Sequence, residues 1–365
     1  MRALFRVDAS TIIGSGHVIR CLTLAKAFEK KGWEILFCCR EHKGHLIDWL
    51  EEQKIKLIKL PLLPEPPAHS YACWLGATEL QDAEALQLQL DSPVDLLVID
   101  HYGLSATFEQ AMQGYFRKLF VIDDLANRRH QCDYLLDQNL YPDYQTRYEG
   151  SVNVDCQLLL GPEYALLRPE FLRNRPSLNP SPLTFLVFFG GTDLPNLTCM
   201  AIKALQTLKI KAFRADIVIG LANPHHQQVK ELCAADKRFQ LHVQTDQMAE
   251  LMQKSTLMIG AGGTTHWERC ASALPALVVT LAENQIAGTL SLAAAGVCDY
   301  LGDAAQVTTA QMTQAISGLL AQPEYLESMR KKASQVISPD GGCNKIVDLI
   351  TTDFMTNVGI TGNGQ

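Results

Sequence analysis

Three segments concentrate the residues able to do chemistry. The first is Gly14-Ser15-Gly16-His17, where an apolar stretch gives way to a glycine turn and then to a helical pattern. A histidine at a helix N-terminus faces the positive end of the helix dipole, which disfavours the imidazolium. His17 is therefore expected to stay neutral near pH 7 and to take a proton from water, as a general base must. A plain polar cap is the other reading of the same spacing. The second segment is Gly260-Ala261-Gly262-Gly263-Thr264-Thr265-His266-Trp267-Glu268. Its glycines let backbone approach a ligand, and helix-start amides with the Thr264 and Thr265 hydroxyls suit an anionic diphosphate. Glu268, one turn into the helix, could accept hydrogen bonds from both hydroxyls of a ribose. Close packing alone is the other reading of the glycines, and the macrodipole alone that of the carboxylate. The third segment, Glu283-Asn284-Gln285, sets two amides side by side. They suit sugar hydroxyl and acetamido groups, or a cap on the following helix.

Other candidates are weaker. Gly190-Gly191-Thr192-Asp193 is a second glycine cradle after a strand. Gly14-Ser15-Gly16-His17-Val18-Ile19 begins like a dinucleotide fingerprint, but Ile19 stands where the third glycine must allow close helix packing, which argues against NAD or FAD. Asp8, Asp100, Asp123 and Asp124 lie just past strand ends, as substrate contacts or as turn formers and caps. His101 and the pair His225-His226 read as surface or capping residues. No histidine pair has the spacing of a helical metal site and no aspartate pair suits a divalent ion. No metal and no cofactor is expected.

These residues need elements to hold them. Ala3 to Val7 reads as a strand, and Val18, Cys21, Leu22, Ala25 and Phe28 make the apolar face of a helix. Strands recur at Trp33 to Cys39, Lys56 to Leu60, Asp95 to Ile99 and Lys118 to Ile122, separated by helical lengths. After a proline-rich stretch from Leu167 to Pro182 the plan restarts. Strands are expected at Leu183 to Phe189, Ala215 to Ile219, Gln240 to Val243, Leu257 to Ile259 and Ala276 to Thr280. The alternation predicts an α/β protein of two doubly wound, parallel-sheet, Rossmann-like domains facing across a cleft. The expected divisions are an N-terminal domain over 1–176, a linker over 177–182, a C-terminal domain over 183–350 and a flexible tail over 351–365.

Composition narrows the function. The chain has 365 residues, 47% hydrophobic and 19% charged, enough to bury two cores. Thirty-two basic against 39 acidic residues give a charge of -7, which argues against nucleic acid and anionic membrane as partners. The eleven cysteines form no CxxC pair and read as buried thiols of a reducing compartment. Met1 to Asp8 has no signal-peptide pattern, so a cytoplasmic protein acting on a small molecule is expected.

The motifs also resemble a known family. Phe5-Arg6-Val7-Asp8-Ala9-Ser10, Ile13-Gly14-Ser15-Gly16-His17 with Arg20, Phe189 to Asp193, Asn223-Pro224-His225, Gly260 to Cys270 and Leu281 to Gln285 follow in order. Together they are similar to the PseG family, the UDP-sugar hydrolases of pseudaminic acid biosynthesis. The glycine turn with Glu268 also resembles MurG-type glycosyltransferases of GT-B fold. Between Pro61 and Asp91 the likeness is thin. The resemblance implies hydrolysis of UDP-2,4-diacetamido-2,4,6-trideoxy-β-L-altropyranose to the free sugar and UDP, and the lack of an aspartate pair suited to a divalent ion makes a metal-independent reaction the default. It makes His17 the residue that positions or deprotonates the water. It places Gly14, Gly16, Arg20, Gly262, Gly263, Thr264, Thr265, His266, Glu268, Asn284 and Gln285 around the substrate, with Thr264 to Glu268 on UDP and the two amides on the sugar. Water displacing UDP in one step would invert the anomeric carbon, and no carboxylate pair suits a covalent route. A GT-B glycosyltransferase using a UDP-sugar donor, a UDP-sugar 2-epimerase and a non-catalytic nucleotide-sugar-binding protein are the competing readings.

Overall fold

A computed structural model describes residues 1–63, 71–172, 183–210, 212–338 and 342–358. The first sheet has seven strands: β1 (Arg2–Val7), β2 (Glu34–Arg40), β3 (Lys56–Leu60), β4 (Val94–Asp100), β5 (Phe116–Ile122), β6 (Tyr134–Asp137) and β7 (Gln157–Leu160). They run parallel in the order β3-β2-β1-β4-β5-β6-β7. The second sheet has β8 (Thr184–Phe188), β9 (Arg214–Ile219), β10 (Phe239–Val243), β11 (Leu257–Ala261), β12 (Ala276–Thr280) and β13 (Asp299–Asp303). It is also parallel, in the order β10-β9-β8-β11-β12-β13. The expected architecture, two doubly wound α/β units, is the one observed. The sequence reading missed β6, β7 and β13.

Both faces of each sheet are covered, so central strands read as continuous apolar runs. On β1, Ala3, Phe5 and Val7 enter one core while Leu4 enters the core on the opposite face. The strand-order reversal falls between β1 and β4 in the first unit and between β8 and β11 in the second. Loops leaving the carboxyl ends of strands at such a reversal diverge and leave room for a ligand. The glycine turns singled out in the sequence follow these strands: Gly14 to Gly16 after β1, Gly190 to Asp193 after β8 and Gly262 to Thr264 after β11.

The chain divides differently from the sequence reading. One unit comprises Met1–Asn139, Asp143–Leu166 and Asp340–Gln365, the other Leu140–Pro142 and Leu167–Pro339. The cause is the helix Cys343–Val358, whose Ile346, Val347, Ile350 and Phe354 enter the core of the first sheet beside Phe28 and Trp33. Residues assigned from sequence to the second domain, and in part to a flexible tail, are thus a helix of the first unit. The expected linker at 177–182 and the end of the tail, 359–365, lie outside the described residues. Among the described residues no helix is long and apolar enough to cross a membrane.

Candidate functional site

The helix Gly16–Lys30 begins where Gly14 takes a φ of +80°, a conformation that costs glycine nothing. The Ser10 hydroxyl accepts from the Ile12 and Ile13 amides at 3.1 and 2.9 Å, and the Gly14 amide returns to the Ser10 carbonyl at 2.9 Å. This tight loop delivers His17, Arg20 and Cys21 on one helical face, at i, i+3 and i+4.

That face meets Asp100, the last residue of β4, which is fully buried. His17 Nδ1 lies 2.6 Å from Asp100 Oδ1. Arg20 grips the same carboxylate with Nε on Oδ2 at 2.6 Å and Nη2 on Oδ1 at 2.6 Å, and the Cys21 thiol donates to Oδ2 at 3.4 Å. Arg20 Nη2 is also 3.1 Å from His17 Nδ1. A lone pair on Nδ1 would face a carboxylate oxygen across 2.6 Å, so Nδ1 carries the proton and both nitrogens donate to Oδ1. The lone pair is then on Nε2. Burial pushes the Asp100 carboxyl up, but the Arg20 guanidinium and His17 outweigh it and hold the group well below the usual carboxylate range. Two more residues close the set. Asp124 pairs with Arg20 Nη1 at 3.3 Å and accepts from the Tyr102 hydroxyl at 2.5 Å, and the Tyr102 ring meets the His17 ring edge-on with centroids 4.8 Å apart.

A second charged cluster lies under the first unit's strand ends. Arg6 Nε and Nη2 each lie 2.8 Å from Asp82, Arg6 Nη1 lies 2.7 Å from Asp8, and Arg40 Nη2 lies 2.6 Å from Asp82. His101 belongs to this cluster, which corrects the expectation of a surface or capping residue. It is 3% exposed, its Nδ1 accepts from the Gly103 amide at 2.9 Å, and its Nε2 points to Asp8 at 3.4 Å. A buried imidazole beside a carboxylate needs no solvent. His225 occupies the N-cap position of the helix His226–Ala234, but its side chain makes no capping hydrogen bond and its Nε2 lies 3.0 Å from the Leu194 carbonyl instead. Among the described residues no three His, Cys, Asp or Glu side chains are grouped to hold a metal ion.

In the second unit the turn after β11 leads into the helix Thr265–Ala271. Gly263 has a φ of +89°, and a Cβ on Gly262 would come within 2.9 Å of the Thr289 hydroxyl, so both positions require glycine. Gln285 lies against this turn, its Nε2 3.5 Å from where a Cβ added at Gly263 would stand, and its Oε1 accepts from the Leu281 amide at 2.9 Å. Asn284 sits beside it in the short helix Glu283–Gln285. Thr264, Thr265, Glu268, Asn284 and Gln285 are all half-buried. Glu268 pairs with Arg168 at 3.2 Å, a partner the sequence reading did not name. Burial pushes the Glu268 carboxyl up, with Arg168 opposing.

Two residues expected at the substrate have their polar atoms engaged within the protein. His266 is 3% exposed, accepts from Arg269 at Nδ1 and faces the Thr289 hydroxyl from Nε2 at 3.1 Å. Burial and Arg269 hold it well below the usual imidazole range, so it is a neutral tie between two helices. Arg20 is 5% exposed and spends its guanidinium on Asp100 and Asp124. Thus Gly14, Gly16, His17 and Arg20 gather in the first unit, and Gly262 to Glu268 with Asn284 and Gln285 in the second. Asp100 and Asp124 were visible as strand-end carboxylates, but Tyr102 and Arg168 carried no sequence signal.

Comparison with known proteins agrees with this anatomy. Residues 185–341 match the Glycosyltransferase family 28 C-terminal domain. A UDP-2,4-diacetamido-2,4,6-trideoxy-beta-L-altropyranose hydrolase of Campylobacter jejuni is 29% identical over 71% of this chain and 84% of its own. The spore coat polysaccharide biosynthesis protein SpsG of Bacillus subtilis is 25% identical over 79% of this chain and 80% of its own. The Acinetobacter baumannii MurG structure superposes with a TM-score of 0.63 at 16% identity, covering 96% of this chain and 99% of that one. The fold is therefore GT-B-like, the second unit carries the family 28 match, and the likeness to the PseG family read from the sequence is borne out.

Proposed function

We propose that the protein is a UDP-sugar-processing enzyme that hydrolyses UDP-2,4-diacetamido-2,4,6-trideoxy-β-L-altropyranose to the free sugar and UDP. The observation that carries the reading is the 2.6 Å contact between His17 Nδ1 and Asp100 in a chain similar to a hydrolase of that substrate. A ring fixed as the Nδ1–H tautomer presents a basic Nε2, and the buried carboxylate stabilises the imidazolium formed when a proton arrives. His17 takes a proton from water as its oxygen bonds to the anomeric carbon. The bond from that carbon to the diphosphate oxygen breaks, and its electron pair leaves with UDP. His17 then returns the proton to solvent. One displacement with one base inverts the anomeric centre and needs no carboxylate nucleophile.

The turn from Gly262 to Thr265 is the proposed diphosphate cradle, Glu268 the ribose acceptor, and Asn284 and Gln285 the sugar contacts. Leaving-group charge falls to backbone amides and hydroxyls, with no step routed through a metal. Turnover in excess EDTA equal to that without it is the expected result. The family 28 match supports a second reading, transfer of the sugar to an acceptor other than water. Reaction in ¹⁸O-water without acceptor separates the two. Label in the free sugar supports carbon–oxygen hydrolysis, label in UDP means attack at phosphorus, and no UDP release moves the assignment to a transferase.

A further inference from the structure

We infer that Asp124 is a positioning residue for the His17 base. The inference rests on the hydrolytic reading and adds to it a residue that does not itself meet the reacting atoms. Asp124 stands two residues past the end of β5, and its two oxygens serve different partners. Oδ1 accepts from the Tyr102 hydroxyl at 2.5 Å, and Oδ2 pairs with Arg20 Nη1 at 3.3 Å.

Both partners act on His17. Arg20 holds the two oxygens of Asp100, which in turn fixes His17 Nδ1. Tyr102 stands on another side, its ring 87° to the imidazole plane with centroids 4.8 Å apart. A hydrogen bond at one ring nitrogen fixes a point about which an imidazole can still swing. An edge-on aromatic contact removes that swing, and the two restraints together set the direction of the Nε2 lone pair. Asp124 is the residue common to both. Burial and the Asp124 carboxylate push the Tyr102 phenol well above its usual range, so it stays an O–H donor. Trp74 also stacks on Tyr102, with centroids 5.5 Å apart, so the body of the ring keeps a packing partner when the Asp124 contact is removed.

The test compares Asp124→Asn, Asp124→Glu and Tyr102→Phe with wild type in the full-length protein. Asp124→Asn is expected to lower kcat about tenfold while KM stays within about twofold, because positioning is lost and binding is not. Asp124→Glu keeps the charge and should lose less. Tyr102→Phe keeps the ring and should lose part of the Asp124→Asn effect. A readout independent of turnover is the downfield ¹H NMR resonance of the proton between His17 and Asp100, identified by its loss in His17→Asn. It should shift or broaden in Asp124→Asn with no substrate present. Unchanged kcat together with an unchanged resonance overturns the inference. So does a parallel fall of kcat, UDP binding and melting temperature that Asp124→Glu does not relieve. If wild type releases no UDP from the UDP-sugar, the hydrolytic reading falls, and the resonance alone still decides whether Asp124 positions His17.

Discussion

His17 and Asp100 are 83 positions apart in the chain and 2.6 Å apart in space, joined because β1 and β4 pair in parallel register and the helix after β1 crosses the end of β4. The pairing predicts that the carboxylate matters almost as much as the base. In Asp100→Asn an amide can present its NH₂ to Nδ1 and favour the wrong tautomer, so kcat should fall by roughly 10²- to 10⁴-fold, and His17→Asn should fall at least as far. UDP affinity, measured by calorimetry, should be unchanged in both. Loss of UDP binding with loss of turnover would reduce His17 to a cap.

Glu268 is expected to serve the nucleotide and not the chemistry. It is half-buried, with Arg168 at 3.2 Å holding one oxygen. Glu268→Ala should weaken UDP about tenfold, near the worth of a charge-assisted hydrogen bond, while the pH dependence of kcat keeps its wild-type shape. UDP titrations that coincide for variant and wild type would move the ribose contact elsewhere.

Much of this was legible in the sequence, and the gaps have physical causes. Central strands such as Asp95 to Ile99 announce themselves because both faces are buried. The short β6 and β7, four residues each, and half-polar β13 at the sheet edge give no such run. His17 could be read locally from its glycine turn, but its partners depend on which strands pair. Asp100 and Asp124 were therefore ambiguous, and Tyr102 unmarked. The stripe Ile346, Val347, Ile350 and Phe354 shows that the C-terminal helix is covered on one face. Periodicity does not reveal which sheet covers it, and the helix belongs to the first.

The buried cluster of Arg6, Arg40, Asp8 and Asp82 makes a stability prediction. Asp82 lies on the helix Glu79–Gln87, is fully buried, and carries hydrogen bonds from both arginines, tying that helix to β1 and β2. Asp82→Ala leaves the buried Arg6 guanidinium with Asp8 and takes from the buried Arg40 guanidinium its Asp82 partner, and should cost about 3–5 kcal/mol in denaturant unfolding. A cost below about 1 kcal/mol would mean that water reaches the arginines and the cluster is not closed.

Asp137 gives the pH dependence of stability. It ends β6, is 2% exposed, and takes the Asn139 amide on Oδ1 at 2.9 Å. The Tyr148 hydroxyl lies 3.1 Å from Asp137 Oδ2, 3.1 Å from Asp123 Oδ2 and 3.0 Å from the Asp123 carbonyl. One phenol proton cannot serve all three oxygens, so a protonated Asp137 donating to Tyr148, which donates to Asp123, satisfies the group best. Burial, then the negative charge of Asp124, raise the Asp137 carboxyl to about 7. An unfolded aspartate titrates near about 4. Between these values the folded protein keeps a proton that the unfolded chain has released, so stability falls as pH rises through the window and the loss is complete above about 7. Asp137→Asn cannot ionise. Its melting temperature should exceed that of wild type at pH 8, and the advantage should shrink by several degrees at pH 5. An advantage independent of pH, or a variant less stable at pH 8, would show that Asp137 is ionised in the folded protein and held by Arg147, whose Nε lies 3.4 Å from Oδ2.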